Sequence, residues 1–465
     1  MKKIIYTFIL ISLLYSCDDF VDIVPKGNTI PETVDDLSRL MNLGTFTSEG
    51  DFTEISFNIP YFELYSDDYT ITQDELQPNF YLNTIPIFAS YLKWSDSSEN
   101  SDEKWDGLYK SNYVANYVLD KVDNVAEGVA NDRNEVKGRA LVHRAMNYFL
   151  LVNLYGKQYD ASAGSASTTD LGVPLILESD INKQYQRATV AKVYEQILDD
   201  LTQAISIMKT EVSEFSNIPS LSVAFALRAR VYLWMQNYDQ AYTDAVKATE
   251  LNGDLIDYNT CSQAVPSFGS LGGIIGYPTP AAKNSEVIYA RFKSSSLPVV
   301  YTEKMLGITD TDNDLRYTLF SYFQSGVLQM FYNNHNHSGI NAAEVWLIRA
   351  EAALRKPNPT VTDAIFALDY VRVNRFKQDA YEPTELTNTD ALLDEILNER
   401  RREIRLNEMA FFDRKRLNAN PATAKPMSRV VQGMEYTLPV GSPKYQLLIP
   451  VNVMQLNPLL IQNER

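Results

Sequence analysis

Two predicted helices within Leu221–Leu251 constrain the fold more than any other part of this chain. The segment reads LSVAFALRARVYLWMQNYDQAYTDAVKATEL, and apolar residues recur with helical period on both sides of a turn near Tyr238. Small side chains occupy one face of the second helix, at Ala241, Ala245 and Ala248. Because two helices approach closely only where the side chains between them are small, the segment predicts a tightly packed helical hairpin.

Helix pairs of this kind recur along the chain. The small and aromatic residues of Leu221–Leu251 stand at positions typical of tetratricopeptide repeats, and Ala342–Phe376 has the same order of helix, Pro/Asn turn and helix. Longer amphipathic helices are predicted over Glu135–Tyr155, which Gly156 ends, and over Thr189–Met208, which begins with an N-cap threonine. The pattern predicts about four helix pairs in a mainly α fold.

The N-terminus has the features of an export signal. Lys2 and Lys3 precede an apolar stretch, Ile4–Tyr15, that is too short to span a bilayer as a helix. The small residue Ser16 and then Cys17 follow, which resembles a bacterial lipobox, where the cysteine thiol receives a lipid and becomes the mature N-terminus. We therefore predict a lipoprotein signal peptide over residues 1–16 and lipidation of Cys17. The alternative is a plain secretory signal that ends near a cysteine.

Charge and cysteine content exclude several classes of function. The formal net charge of −17 argues against nucleic acid and against a polybasic membrane-binding surface, since both need clustered Lys and Arg. Cys17 and Cys261 are the only cysteines, so lipidation of Cys17 would leave Cys261 without a disulfide partner. The 29 tyrosines, which combine an apolar ring with a polar tip, suit a core and a binding surface equally well.

The acidic and histidine motifs favour structural over chemical roles. Asp310–Asp314 carries acids at alternate positions, as a calcium loop does, but Leu315 stands where that loop needs glycine, which favours a solvated turn. His335–His337 offers two imidazoles without an obvious third ligand, which favours an exposed loop. Asp67 and Asp68 would point to opposite sides of a strand and make a poor catalytic pair. We predict that the protein is not an enzyme and needs no metal or cofactor.

Two charged segments are predicted to stabilise helices. Glu395 and the run Glu399–Glu403 place acids one helical turn apart with three arginines between them, which predicts a helix laced by salt bridges. Arg349 and Glu351 lie in an apolar helix and are expected to form a buried or half-buried pair.

Trp94 is the aromatic residue that best suits ligand contact. It lies in the polar stretch YLKWSDSSENSDEKW, where its ring face could meet a sugar or peptide while Asp96 accepts hydrogen bonds. Tyr91, Asp67 and Tyr65 complete the predicted ligand-binding set. The alternative is that Trp94 tucks under the following helix as a local anchor, because large aromatic side chains are highly buried on average. The remaining tryptophans are predicted to be core residues: Trp105, Trp234 and Trp346.

A series of short motifs extends over nearly the whole chain. In order they are Cys17–Pro25 (CDDFVDIVP), Trp105-x-x-Leu-Tyr109 with Asn116, Glu135–Ala140, Arg144-Ala145, Tyr148-Phe149, Leu154–Gly156, Ala229–Leu233, Glu344–Glu351, Glu399–Glu403, Phe412–Arg416, Ile449-Pro450 and Asn457–Asn463. In this order the motifs resemble the SusD/RagB family of outer-membrane nutrient-binding lipoproteins of Bacteroidetes-type bacteria.

The resemblance implies an architecture. It implies a mainly α fold of about four tetratricopeptide-like helix pairs, few short strands and an irregular, loop-rich ligand-binding face. It also implies an N-terminal SusD-like region over residues 17–215 and a C-terminal RagB/SusD region over residues 216–465, which intertwine as one structural unit. The polar aromatic loop of Trp94 lies where the family places loops of its binding face.

The resemblance also implies a function and a partner. The family is non-catalytic and usually binds glycans, and its members sit as lids over a SusC-like TonB-dependent outer-membrane transporter. Asp18 and Asp19 resemble the family's surface-export signal, which implies an anchor in the outer face of the outer membrane. Two other functions stay open from the sequence: a RagB-like peptide-binding lipoprotein, and a tetratricopeptide scaffold for another exported protein.

Overall fold

The structure is a computed structural model that describes twelve stretches of the chain. These are residues 31–42, 62–71, 90–95, 103–125, 129–162, 166–264, 273–278, 284–291, 299–324, 327–330, 339–404 and 409–465. The predictions for Cys17, Asp18, Asp19, Asp96 and His335–His337 lie outside the described residues.

Helices dominate the described residues, as the sequence predicts. They are α1 (Val34–Asn42), α2 (Glu103–Lys121), α3 (Ala130–Tyr155), α4 (Val190–Ile207), α5 (Leu221–Trp234), α6 (Tyr238–Asn252), α7 (Glu303–Leu306), α8 (Leu315–Phe320), α9 (Ala342–Arg355), α10 (Val361–Val373), α11 (Thr389–Glu403), α12 (Met409–Leu417) and α13 (Val451–Leu456). Within this part of the chain, no helix is both long and apolar enough to span a membrane.

The predicted hairpin is formed by α5 and α6. Ala241, Ala245 and Ala248 are all fully buried, so the two helices meet over small side chains as the spacing predicts. Asn237 begins α6 by accepting a hydrogen bond from the backbone N–H of Gln240. The same arrangement recurs in α9 and α10, and α2 packs on α3, which packs on α4. The prediction of tetratricopeptide-like helix pairs is confirmed.

The predicted helix ends are also found. The Thr189 hydroxyl accepts a hydrogen bond from the Lys192 backbone N–H at 3.3 Å and begins α4. Gly156 ends α3, and its N–H donates to the Val152 carbonyl at 2.8 Å.

Short antiparallel pairs of strands lie between the helices. The strands are β1 (Tyr69–Ile71), β2 (Leu171–Pro174), β3 (Arg187–Thr189), β4 (Ser262–Ala264), β5 (Gly273–Ile275), β6 (Val287–Tyr289), β7 (Val299–Tyr301), β8 (Ser321–Gln324), β9 (Val327–Met330), β10 (Ile340–Asn341), β11 (Met427–Val431) and β12 (Met434–Leu438). The pairs are β1 with β7, β2 with β3, β4 with β5, β6 with β10, β8 with β9 and β11 with β12. The turn between β11 and β12 has positive φ at Gln432 (50°) and Gly433 (78°), as tight hairpins require.

One large apolar core spans the described chain, with buried residues from Leu64 to Leu460. Trp105 and Trp234 belong to this core, and Trp346 belongs to a second cluster between α9, α10 and α11. All three are at most 7% exposed, so their prediction as core residues is confirmed.

A network of buried ion pairs, here called the α9 network, joins α5, α9, α11 and α12. Arg230 pairs with Glu344 at 2.6 Å, and Arg400 bridges Glu344 at 3.1 Å and Asp413 at 2.6 Å. The network extends to Arg416, Glu351 and Arg355. Direct carboxylate partners offset the cost of burying these guanidinium groups.

A second buried set, the α11 network, centres on Arg316 and Arg375. Arg316 contacts Asp314 at 2.8 Å, Glu399 at 2.5 Å and Glu403 at 2.8 Å. Arg375 shares Glu403 at 3.0 Å and also pairs with Glu286. Asp314 therefore caps α8 and binds an arginine, while Asp310 accepts the backbone N–H groups of an exposed turn.

These contacts correct one prediction and refine another. Arg349 and Glu351 do not pair, because Arg349 binds Asp363 on α10 and Glu351 binds Arg416 at 2.7 Å. The helix predicted at Glu399–Glu403 is confirmed as the end of α11. Its acids are buried and bind arginines of other elements as well as Arg402 of the same helix.

Candidate functional site

Four of the five residues predicted to contact a ligand lie in one region. Tyr65 is the last residue of a short 3-10 helix, and Asp67 follows that helix by two residues. Tyr91 and Trp94 belong to the same apolar cluster as Tyr65. The Trp94 indole N–H donates to the Tyr65 carbonyl oxygen at 2.8 Å, and the Tyr65 and Tyr91 rings meet edge-on with centroids 5.3 Å apart. The fifth residue, Asp96, lies outside the described part of the chain.

Trp94 does not present an open ring face. Its side chain is 2% exposed, and the Arg429 guanidinium lies 4.5 Å from the ring centroid. The backbone of Trp94 has a φ of 48°, a left-handed conformation that a bulky residue rarely adopts. The expectation that the ring is offered to a ligand is therefore wrong for this structure, because Arg429 covers it. Trp94 is buried, as the local-anchor alternative expects, but its ring meets Arg429 on β11 and its indole N–H donates to Tyr65, neither of which lies on the following helix. Whether this region contacts a ligand stays a prediction.

Asp67 and Asp68 are buried and engage different cations. Lys304 on α7 donates to the Asp67 carboxylate at 2.9 Å, and the Ser428 backbone N–H donates to the same oxygen at 3.1 Å. Asp68 pairs with Arg401 on α11. Burial alone would raise the pKa of Asp67, but the hydrogen bond and charge of Lys304 hold it below its ordinary value. Both carboxylates therefore anchor cations, and their geometry does not resemble a catalytic pair.

Arg429 on β11 is held by backbone carbonyls. Its guanidinium donates to the carbonyl oxygens of Tyr69, at 3.2 Å, and of Ser66, and its Nε has no partner among the described residues. Burial lowers the pKa of Arg429 to about 10, and no carboxylate in the described part of the chain is in direct contact with it. Arg429 therefore stays a cation at neutral pH and adds its charge to those of Lys304 and Arg401.

Arg414 lies on α12 three residues after Phe411, whose ring meets that of Tyr65 edge-on. Its side chain is half-buried, and within the described chain no hydrogen bond or ion pair engages it. Burial and the nearby Arg401 cation lower the pKa of Arg414, while Asp67 and Asp68 act in the opposite direction. We name Lys304, Arg401, Arg414 and Arg429, together with Asp67 and Asp68, the basic cluster. It contains four cations and two carboxylates.

Aromatic rings border the basic cluster. Phe411 contacts Tyr65 edge-on, with centroids 4.8 Å apart, and stacks on Tyr445 at 5.7 Å. Tyr436 on β12 is half-buried and stands opposite Arg429 in the strand register. The Lys93 ammonium lies 5.6 Å from the centroid of the Tyr436 ring. Tyr436 is thus an aromatic ring beside the cluster that is partly exposed to solvent, whereas Trp94 is buried.

Lys304, Arg414, Arg429 and Tyr436 are not among the residues predicted from the sequence. The two strands that carry Arg429 and Tyr436 have a recognisable signal, since MSRVV and MEYTL flank a Gln-Gly turn. No comparable signal exists for Arg414, because its sequence neighbours Asp413 and Arg416 belong to the α9 network.

A separate cavity of about 270 Å³ lies between the C-terminal segment and the loop before β3. The Gln184 amide donates to the Leu456 carbonyl at 3.2 Å, and the Asn457 amide donates to the Tyr185 carbonyl at 2.9 Å, which ties the two walls together. The wall and floor also include Trp105, Tyr109, Pro174, Ile176, Ile181, Val453 and Leu460. Of the predicted ligand-binding residues that the structure describes, none lines this cavity.

Comparisons with known proteins agree with the motifs. A family model described as "Starch-binding associating with outer membrane" matches residues 48–233, and the model of the SusD family matches residues 293–464. Together the two matches cover most of the chain. Comparison with curated proteins gives no match.

Solved structures share the fold over almost the full length. A SusD superfamily protein from Bacteroides thetaiotaomicron is 22% identical, with a TM-score of 0.68 over 93% of this chain and 100% of its own. A putative sugar binding protein from Bacteroides vulgatus is 21% identical, with a TM-score of 0.70 over 94% and 99%. A SusD-like carbohydrate binding protein from the same species is 18% identical, with a TM-score of 0.63 over 92% and 98%. With both family models matched in this order, the chain belongs to the SusD/RagB family.

Proposed function

We propose that this protein is a surface-exposed outer-membrane lipoprotein that binds oligosaccharides and delivers them to a TonB-dependent transporter. The observation that carries the proposal is the family membership, since one matching family model is described as starch-binding and associated with the outer membrane. Two structures with the same fold are described as sugar- or carbohydrate-binding proteins. The basic cluster and its aromatic border supply the groups that saccharide binding uses, namely ring faces and hydrogen-bond donors.

The proposed role is binding without catalysis. Asp67 and Asp68 are adjacent in sequence and each binds a different cation, so they are not arranged as the facing acid and nucleophile of a glycosidase. The described residues contain no group of three or more His, Cys, Asp or Glu side chains placed to hold a metal ion. We expect incubation with a bound oligosaccharide to release no reducing ends.

The anchor is proposed at Cys17, as the lipobox pattern predicts. Replacement of Cys17 by Ser should abolish labelling with a palmitate analogue and reduce the membrane-bound fraction. Treatment of intact cells with a protease should degrade the wild-type protein if it faces outward. Labelling that persists in the Cys17→Ser variant would contradict lipidation at this residue.

A glycan microarray probed with the purified full chain tests the binding function. We expect binding to one group of related oligosaccharides. Failure to bind any saccharide, combined with binding to short peptides in a parallel peptide array, would support the peptide-binding alternative instead. Purification of the tagged protein from its own membranes should also recover a β-barrel transporter, and recovery of a different exported protein would favour the scaffold alternative.

A further inference from the structure

The basic cluster is an excess of positive charge inside an acidic protein. The chain has a formal net charge of −17, yet among the described side chains of this region four cations face two carboxylates. A half-buried or buried guanidinium without a counter-ion loses much of its hydration and gains little in return. Such an excess is costly for the protein alone, and an anion bound in the region would offset it.

The four cations differ in what they can offer a ligand. The Lys304 ammonium already donates to Asp67 and to both the carbonyl and hydroxyl oxygens of Ser428, so it contributes charge and no further donor. Arg429 is 5% exposed and lies beneath the surface, where it also contributes charge. Arg401 and Arg414 therefore have to supply the donors.

Arg401 and Arg414 can both be reached from solvent. The Arg401 side chain is 21% exposed and makes one hydrogen bond, to Asp68, which leaves other N–H groups of its guanidinium available. The Arg414 side chain is half-buried, and its donors are uncommitted within the described chain. Two guanidinium groups that share an oxyanion match the planar, two-oxygen geometry of a carboxylate and two oxygens of a sulfate.

The surroundings suit a sugar that carries such a group. Tyr436 offers a half-buried ring opposite Arg429, and the Tyr445 ring stacks on Phe411, which lies on the same helix as Arg414. Aromatic faces pack on the C–H groups of a sugar ring, while cations bind the acidic substituent.

We propose that the basic cluster binds an anionic saccharide, with Arg401 and Arg414 donating hydrogen bonds to its carboxylate or sulfate oxygens. The inference rests on the proposed function and narrows it, because it names the class of glycan. Lys304 and Arg429 raise the local positive potential, so binding should weaken as ionic strength increases.

The first test is a microarray of the full chain against oligogalacturonates, alginate oligomers, chondroitin sulfate oligomers and neutral malto-, xylo- and manno-oligosaccharides. We expect binding to acidic members, and the carboxylate and sulfate members distinguish the two sources of negative charge. Binding confined to neutral members would overturn this inference and leave the proposed function standing. Binding to a hexaglutamate peptide in the absence of any saccharide would overturn both.

Calorimetry then compares the best acidic ligand with its carboxyl-reduced or desulfated counterpart, which has the same sugar skeleton. We expect the uncharged form to bind at least about tenfold more weakly. Arg414→Gln should weaken binding of the charged form by a similar factor, and Arg414→Lys should restore part of it through charge alone. Arg39→Gln is the matched control, since it removes the same charge from an exposed pair on α1.

Equal affinity for the charged and uncharged forms, or an unchanged affinity in Arg414→Gln, would overturn the assignment. The thermal midpoint of Arg414→Gln shows whether that variant is folded. If Arg414→Gln is unfolded, Arg401→Gln provides the second test.

Discussion

Helix α12 carries two neighbouring arginines with opposite surroundings. Arg416 is buried in the α9 network, where it binds Glu351 at 2.7 Å and Asp413 at 2.5 Å. Arg414, two residues earlier, has no carboxylate partner among the described residues and lies near Arg401 of the basic cluster. The same contrast holds between the α9 and α11 networks on one side and the basic cluster on the other. Each central arginine of the two networks has a direct carboxylate partner, whereas no described carboxylate pairs with Arg414 or Arg429.

The contrast separates charges that hold the fold together from charges available for binding. A buried ion pair is strongly destabilised when one partner is removed, because the other charge remains buried. Replacing a cation that has no partner in the free protein leaves no buried charge unpaired, so this destabilisation does not arise. Stability measurements should therefore distinguish the two regions before any ligand is known.

The largest effect is expected for Glu351→Gln in the α9 network. The change leaves Arg416 and Arg355 without their shared carboxylate and should lower the free energy of unfolding by about 3–5 kcal/mol. Urea denaturation followed by circular dichroism measures the change. Glu250→Gln, in an exposed pair with Lys247, is the control and should cost less than about 1 kcal/mol. Similar losses in both variants would break the distinction between buried and exposed pairs.

Trp94→Ala should have an effect of comparable size. The side chain lies under Arg429 with its N–H on the Tyr65 carbonyl, so truncation leaves a cavity and is expected to cost about 3–5 kcal/mol. The urea midpoint of the variant is the measurement. Unchanged stability combined with weaker glycan binding would restore the interpretation of Trp94 as a surface platform.

Acidic pH should weaken the α9 and α11 networks. Burial alone would raise the pKa values of Glu351 and Glu399, but the charges of Arg416 and Arg316, respectively, lower them to about 2. As pH falls from about 4.5 towards 2, the unfolded chain binds protons that the folded carboxylates do not, so stability is lost in this window. The loss is about 3 kcal/mol for each carboxylate.

The free energy of unfolding of the wild type and of Glu351→Gln should be compared at pH 5, 4 and 3. The variant lacks one of these carboxylates and is expected to show the shallower decline. Parallel declines would indicate that Glu351 does not contribute to acid sensitivity.

The smallest effect on stability is expected for Arg414→Gln. Since no described residue pairs with Arg414, its replacement leaves no such partner unpaired, and the free energy of unfolding should stay within about 0.5 kcal/mol of the wild type or increase. Differential scanning calorimetry measures both proteins in the absence of ligand. A loss close to that of Glu351→Gln would place Arg414 among the structural arginines.

Local signals predicted much of this fold from the sequence. The alanines at Ala241, Ala245 and Ala248, the N-cap at Thr189 and the helix end at Gly156 all act through neighbours within a few residues, and the structure contains each of them. The motif order was sufficient to indicate the family, which the matches to residues 48–233 and 293–464 show.

Long-range contacts account for the errors. Trp94 is covered by Arg429, and Glu403 binds Arg316 and Arg375, so the partner in each case is distant in sequence. Helical periodicity placed Glu399 and Glu403 on one face of α11 but carried no information about which arginines would cover that face. The basic cluster was missed for the same reason, since its cations come from α7, α11, α12 and β11.

Binding of an acidic glycan by the basic cluster can be measured through the stability of the protein. The thermal unfolding midpoint is compared for the wild type and Arg414→Gln, each with and without the acidic oligosaccharide that binds best. A ligand at 100 times its Kd stabilises the folded state by about 2.7 kcal/mol, so the wild-type midpoint should rise clearly. We expect a much smaller rise for Arg414→Gln at the same ligand concentration. An equal rise in both proteins, or an equal rise with the uncharged counterpart, would contradict it.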